Sequence, residues 1–180
     1  MPHAQHLGDH KQDWATPQSF FDKVNKEFGF TLDACADLHN HKCTKYYCKA
    51  DNGLVKPWGP SEVVWCNPPY GAITPWLEKG YGACKTQEST VVYLLPASTG
   101  TKWFADYCTR GEIRFIRGRV QFVNIGPGGI IDSGNSSNFD NVVVIFDPAT
   151  IDSDNRKVVF YDSKGEKIKL GMQPIQGRLF

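Results

Sequence analysis

Residues 62–71, running Glu62-Val63-Val64-Trp65-Cys66-Asn67-Pro68-Pro69-Tyr70-Gly71, restrict the folding choices of this chain more than any other segment. The stretch over 62–66, apolar from Val63 onward, has the length and content of a buried strand. Two consecutive prolines then end strand and helix alike, because each lacks an N–H and constrains the residue before it. The segment therefore predicts a buried strand that delivers Asn67 to a stiff loop. Two further apolar runs, 90–95 closed by Pro96 and 142–146, predict core strands of the same kind. Strands that are apolar throughout, rather than alternating, belong to sheets covered on both faces.

The covering helices are legible from helical spacing. Thr16 and Pro17 have the chemistry of an N-cap and first helical residue, Phe20, Phe21, Val24 and Phe28 recur on one side, and Gly29 supplies a stop. A short strand over 30–34, ending on Asp33, should follow. Thr74 and Pro75 predict a second helix with Trp76, Leu77, Tyr81 and Cys84 on its apolar face, although Gly80 and Gly82 weaken it. Thr101 predicts a short third helix carrying Trp103, Phe104 and Tyr107, stopped near Gly111. Residues 113–116 and 120–123 read as strands flanking Arg117-Gly118-Arg119. The stretch 37–60 is polar and irregular, 124–140 is a Gly-, Ser- and Asn-rich loop, and 162–166 is the turn of a terminal hairpin. Strands alternating with helices predict an α/β fold with helices on both faces. Ligands of such sheets gather beyond the carboxyl ends of the strands, where Asp33 and Asn67 are expected.

The 180 residues suit one core, with 41% apolar and 22% charged side chains. No apolar run approaches the roughly 18 residues of a membrane span, and the polar residues 1–13 lack a signal-peptide core. These features predict a flexible leader over 1–13, a domain over 14–150 and a hairpin extension over 151–180 packed on that domain. The expected location is the cytosol, where Cys35, Cys43, Cys48, Cys66, Cys84 and Cys108 stay reduced. The cluster of Cys35, His39, His41, Cys43 and Cys48 has no metal-ligand spacing, so no metal is expected. Basic charge concentrates in the second half. Residues 101–123 hold five basic and two acidic side chains, and residues 156–180 hold six and two. Arg117 and Arg119 are candidate phosphate contacts on that ground.

Asn67-Pro68-Pro69-Tyr70 carries chemistry suited to one difficult nucleophile, an aromatic amine. Its lone pair is delocalised into the ring. Two acceptors that take both N–H groups favour a tetrahedral nitrogen with its lone pair free to attack. The Asn67 side chain and the Pro68 main chain can supply those acceptors, and Pro68 and Pro69 preorganise them. Tyr70 can stack on a base that has left its duplex, with Phe139 a candidate second ring.

A strand ending in Asn67-Pro68-Pro69-Tyr70 resembles the catalytic motif of amino-group methyltransferases. The ordered set Trp14-Ala15-Thr16-Pro17, Leu32-Asp33-Ala34-Cys35-Ala36, Trp65 to Gly71, Leu95-Pro96-Ala97, Arg117 to Phe122 and residues 142–146 resembles the phage-type DNA N6-adenine methyltransferase family. That resemblance implies a minimal class I (Rossmann-like) methyltransferase fold, α/β with a mixed, mostly parallel sheet whose strand over 142–146 is antiparallel. It implies S-adenosylmethionine as methyl donor and adenine in double-stranded DNA as acceptor. Family members are commonly encoded by phages and prophages, which places the enzyme in the bacterial host cytosol. Leu32 to Ala36 resembles the segment that cradles the donor, with Asp33, Ala34, Cys35 and Ala36 in contact. Thr16 and Pro17 resemble the element that closes over its methionine end, and Asp51 the acceptor for its adenine amine. The usual glycine-rich turn is replaced by Ala34-Cys35-Ala36, and the ribose-binding carboxylate has no match. The motif leaves other acceptors open, namely cytosine N4, an RNA adenine or a protein glutamine, as well as a non-catalytic DNA-binding relative.

Overall fold

A computed structural model describes residues 15–126, 129–132, 138–154, 158–162, 164 and 166. The leader over 1–13, Trp14 and residues 167–180 lie outside the described residues.

The chain runs α1 (Gln18–Phe28), β1 (Leu32–Ala36), β2 (Lys45–Cys48), β3 (Val63–Cys66), α2 (Ile73–Gln87), β4 (Thr90–Pro96), α3 (Lys102–Asp106), β5 (Glu112–Arg117), β6 (Asn124–Gly126), β7 (Gly129–Asp132), β8 (Asn141–Phe146) and β9 (Val158–Asp162). Seven strands form one sheet in the order β2-β1-β3-β4-β8-β5-β9. β8 pairs antiparallel with both β4 and β5, and every other ladder of the sheet is parallel. The fold is thus α/β with a mixed, mostly parallel sheet of the Rossmann-like kind, and residues 142–146 lie in its reversed strand. β6 and β7 form a separate antiparallel hairpin.

Both faces of the sheet are covered, as continuous apolar strands require. Leu32, Val64, Val91, Tyr93, Val142 and Val144 face one side, where Trp76 and Leu77 of α2 and Phe104 of α3 pack. Trp65, Val92, Leu94, Val143 and Ile145 alternate to the other side, against Phe20, Phe21 and Val24 of α1. Each such side chain, essentially removed from water, contributes about 1.5–3 kcal/mol.

Several expectations shift on contact with the structure. Pro17, not Thr16, occupies the cap position of α1, and Thr16 uses its hydroxyl elsewhere. Gly29 ends the helix in the left-handed region (φ 66°), its N–H donating to the Asn25 carbonyl at 2.8 Å. The second helix starts at Ile73 after a 3-10 turn over Tyr70–Ala72, so Thr74 and Pro75 fall inside its first turn. Gly80 belongs there for packing: a β-carbon at this position would stand 1.7 Å from the Tyr93 hydroxyl. The polar stretch 37–60 contains β2, held by pairing with β1. Residues 120–123 form isolated bridges rather than a strand, at Gln121 and between Val123 and Ala15, while Val120 and Phe122 turn inward to the core. The expected 124–140 loop holds the β6–β7 hairpin. β9 pairs parallel with β5, and the Asp162 N–H donates to the Glu166 carbonyl at 2.9 Å, closing a turn.

Candidate active site

β1 leads leftward in the sheet to β2, whereas β3 leads rightward to β4, so the chain changes direction between β1 and β3. A crevice opens beyond the carboxyl ends of strands at such a point. Here it is a cavity of about 630 Å³, a size that accommodates a molecule of several hundred daltons.

Asp33 sits on its wall and is 2% exposed. It does not end β1 as expected. The strand continues past a bulge to Ala36, but Asp33, opposite Trp65, is the last residue of β1 to pair with β3. Its Oδ2 accepts from the Lys42 N–H at 2.9 Å and its Oδ1 from the Cys35 N–H at 3.4 Å. Burial pushes the carboxyl up to about 6, with these two backbone donors and the charges of Lys42 and His41 acting against it. Burial also pulls the Lys42 ammonium down to about 8, with Asp33 and Asp22 opposing.

Asn67 emerges from β3 onto the same cavity, with Pro68 and Pro69 beside it. Its Nδ2 donates to the Thr16 hydroxyl at 3.1 Å. The Thr16 carbonyl in turn accepts from Asn40 Nδ2 at 3.4 Å. The Pro69 carbonyl is taken by Ala72 N–H at 3.0 Å, which starts the turn into α2. Tyr70 packs between the two cores, edge-on to Phe122 (6.4 Å) and Phe139 (5.5 Å). Among the described residues its buried hydroxyl has no hydrogen-bond partner.

Thr16, Asp33, Cys35, Ala36, Asn67, Pro68 and Pro69 therefore meet at one cavity. Other candidates stand apart. Pro17 caps α1 and Ala34 is core. The Asp51 carboxylate turns back on Cys48, accepting from its N–H at 2.9 Å and its thiol at 3.0 Å, and does not line the cavity. Arg117 and Arg119 are exposed at the end of β5. β5 runs the same way as β3, three strand spacings away, and Arg117 stands three residues past the level of Asn67, so it lies about 14 Å across the sheet and about 10 Å further along the strand direction. Among the described residues no group of three metal ligands gathers. His41 instead stacks on Tyr46 at 4.2 Å.

Lys42, Asn40, Tyr47, Trp76, Asn124 and Ile125 also line the wall, and nothing in their local sequence pattern marks them for it. Gly53 carried a signal that reads as a simple turn, Asp51-Asn52-Gly53. A β-carbon there would lie 2.0 Å from the Ala34 carbonyl, so only glycine lets this loop close on β1. The close approach that a glycine-rich turn after β1 would supply comes from a later loop. Asn124 and Ile125 plant the start of the β6–β7 hairpin on the cavity wall, and Phe139 returns the chain to Tyr70.

Comparison with known proteins agrees with this arrangement. The chain matches the DNA N-6-adenine-methyltransferase (Dam) family over residues 4–174. It is 34% identical over 140 residues to the DNA N-6-adenine-methyltransferase of Haemophilus phage HP1 (strain HP1c1), covering 75% of this chain and 78% of that protein. It is 32% identical over 139 residues to the DNA N-6-adenine-methyltransferase of Escherichia phage T1, covering 68% of this chain and 58% of that protein. Carrying the Asn-Pro-Pro-Tyr loop at the switch point of a Rossmann-like sheet, the chain belongs to the DNA N-6-adenine-methyltransferase family.

Proposed function

We propose that this chain methylates the exocyclic amine of adenine in double-stranded DNA, with S-adenosylmethionine bound in the cavity between β1 and β3. The observation that carries this reading is the placement of Asn67 at the end of β3, on the same cavity as the buried Asp33 carboxylate. The wall suits the donor. It offers one buried carboxylate, one ammonium, the aromatic side chains of Tyr47 and Trp76, and room for a nucleoside with an amino-acid tail. S-adenosylmethionine supplies a methyl group activated by a sulfonium.

The residues of the chain do the rest. Asn67 Oδ1 and the Pro68 carbonyl accept from the two N–H groups of the flipped base, which holds its nitrogen tetrahedral. Thr16 accepts from the Asn67 nitrogen, which makes the amide oxygen the end assigned to substrate. Tyr70, braced by Phe122 and Phe139, offers a ring to the base. The amine proton becomes acidic once the nitrogen is alkylated and leaves to water without a strong base. Arg117 and Arg119 hold phosphates, and the β6–β7 hairpin rides along the duplex. None of the helices among the described residues is long and apolar enough to cross a membrane, and we place the enzyme in the cytosol of a phage host.

The test is direct. Unmethylated duplex DNA is incubated with the protein and labelled S-adenosylmethionine, then digested and its nucleosides separated by mass spectrometry. Label in N6-methyldeoxyadenosine is expected. Label in N4-methyldeoxycytidine would move the acceptor, and absence of label with intact DNA binding would mark a non-catalytic relative.

A further inference from the structure

Lys42 stands on the cavity wall beside Asp33, yet the two side chains do not neutralise each other. Among the described residues the Lys42 ammonium forms no ion pair. It donates instead to Asn40 Oδ1 at 2.5 Å and Gln18 Oε1 at 3.0 Å, while only the Lys42 main chain reaches the Asp33 carboxylate. An ammonium has three donors and a carboxylate about four acceptor sites, so each group keeps capacity for a ligand. Their scaffold is fixed. Asn40 is tied to the Thr16 carbonyl and Gln18 lies in the first turn of α1, which locks the loop over 37–44 to the N-terminal segment. A buried carboxylate and a half-buried ammonium on one cavity wall, attracting each other but joined by no ion pair among the described residues, are costly unless a ligand of the opposite pattern meets them.

We infer that Asp33 and Lys42 form a receptor for a zwitterionic amino-acid group, Asp33 accepting from its α-ammonium and Lys42 donating to its α-carboxylate. Resting on the donor proposed above, this places the methionyl end of S-adenosylmethionine against Asp33 and Lys42 and assigns Lys42 as a cofactor-binding residue. It also makes a continuous line of hydrogen bonds from Lys42 through Asn40 and Thr16 to Asn67. The amino-acid end of the donor and the amide that handles the target amine are then held by one framework.

Two ligands separate the possibilities in calorimetric titration. S-adenosylhomocysteine carries the amino-acid end; 5′-methylthioadenosine keeps the adenosine and thioether and lacks it. The wild-type protein should bind the first at least roughly tenfold more tightly. Lys42→Ala should weaken S-adenosylhomocysteine roughly tenfold and leave 5′-methylthioadenosine unchanged, which also reports that the pocket remains folded. Lys42→Arg should retain most of the affinity. Lys42→Gln, which can still donate to Asn40, should behave like Lys42→Ala if charge is what matters. Equal losses for both ligands, or none for either, would overturn the assignment of Lys42. A wild-type protein that binds neither ligand would instead overturn the choice of donor.

Discussion

The amide of Asn67 donates to the hydroxyl of Thr16 at 3.1 Å, joining the loop after β3 to the segment before α1 across 51 positions of sequence. An asparagine amide can present either end to a substrate. By accepting from the nitrogen, Thr16 fixes which end of the amide is the acceptor, and in the proposed reaction that end, buried at rest, meets the target amine. Asn67→Ala should therefore nearly abolish methyl transfer, at a cost of roughly 2–4 kcal/mol in barrier. Thr16→Val, which keeps the shape and loses the acceptor, should lower kcat about tenfold, with Thr16→Ser close to wild type. Single-turnover rates on duplex DNA decide it. A Thr16→Val protein at full rate would remove Thr16 from the positioning of Asn67.

Tyr70 packs between the two cores and does not line the cavity at rest, and its hydroxyl is buried and without a partner among the described residues. Burial holds that phenol well above its ordinary range, so it is no acid or base at neutral pH. Tyr70→Phe should keep activity and melt no lower than wild type. Tyr70→Ala should lose about 1–3 kcal/mol of base binding. Binding to DNA carrying 2-aminopurine at the target position reports both. Equal damage from Phe and Ala would return the hydroxyl to the mechanism.

The site was legible in the sequence where one segment fixes both geometry and chemistry. Residues 62–70 combine an apolar run with a proline pair, and they indeed form a strand and a rigid loop that place Asn67 at the cavity. Lys42 was not legible, because its position depends on a bulged ladder between β1 and β2 and on partners from α1. β2 is hidden in the sequence because it has four residues, none of them buried, and is stabilised by pairing with β1 rather than by its own pattern. The cap position expected for Thr16 falls to Pro17 for a related reason: a local rule for helix caps competes with a tertiary hydrogen bond to Asn67, and the latter wins.

The glycines of α2 make the same contrast measurable. Gly80 and Gly82 share a helix, so a change to alanine raises intrinsic propensity by about 1 kcal/mol at either site. Around Gly82 a β-carbon would meet nothing within 4 Å, whereas at Gly80 it would collide with the Tyr93 hydroxyl, itself bonded to the Trp76 carbonyl at 2.8 Å. Gly82→Ala should stabilise the protein and Gly80→Ala should destabilise it. Urea denaturation measures both. Tyr93→Phe in the Gly80→Ala background should recover part of the loss.

Arg117 and Arg119 are exposed on the sheet edge that carries Asn67. If each neutralises one phosphate, replacement by alanine should weaken binding to any duplex by a similar factor. Each should also reduce the slope of log K against log salt by about one. Fluorescence anisotropy across a salt series gives the slope. An unchanged slope in the double variant would put the phosphate contacts elsewhere, with the β6–β7 hairpin the next surface to probe.

Asp33 should oppose stability while serving function. An ordinary aspartate carboxyl sits near 3.8, and burial holds this one at about 6. Between those values the folded protein keeps a proton that the unfolded chain has released. Stability therefore falls as pH rises through that window, by about 3 kcal/mol in all, and the deficit persists at neutral pH. His41 and Lys42, the charged neighbours that draw the value down, reduce this deficit without removing it. Asp33→Asn should accordingly melt above wild type at pH 7.5, with the advantage gone below pH about 4. The same variant should bind S-adenosylhomocysteine at least roughly tenfold more weakly, because an amide offers an ammonium no charge. In wild type, that affinity should fall as pH drops through about 6 and Asp33 takes up its proton. Thermal melts and titrations of the two proteins from pH 4 to 8 test these expectations together. Parallel melting profiles would show that the Asp33 carboxylate carries no burial penalty, and an unchanged affinity in Asp33→Asn would move the donor's ammonium away from β1.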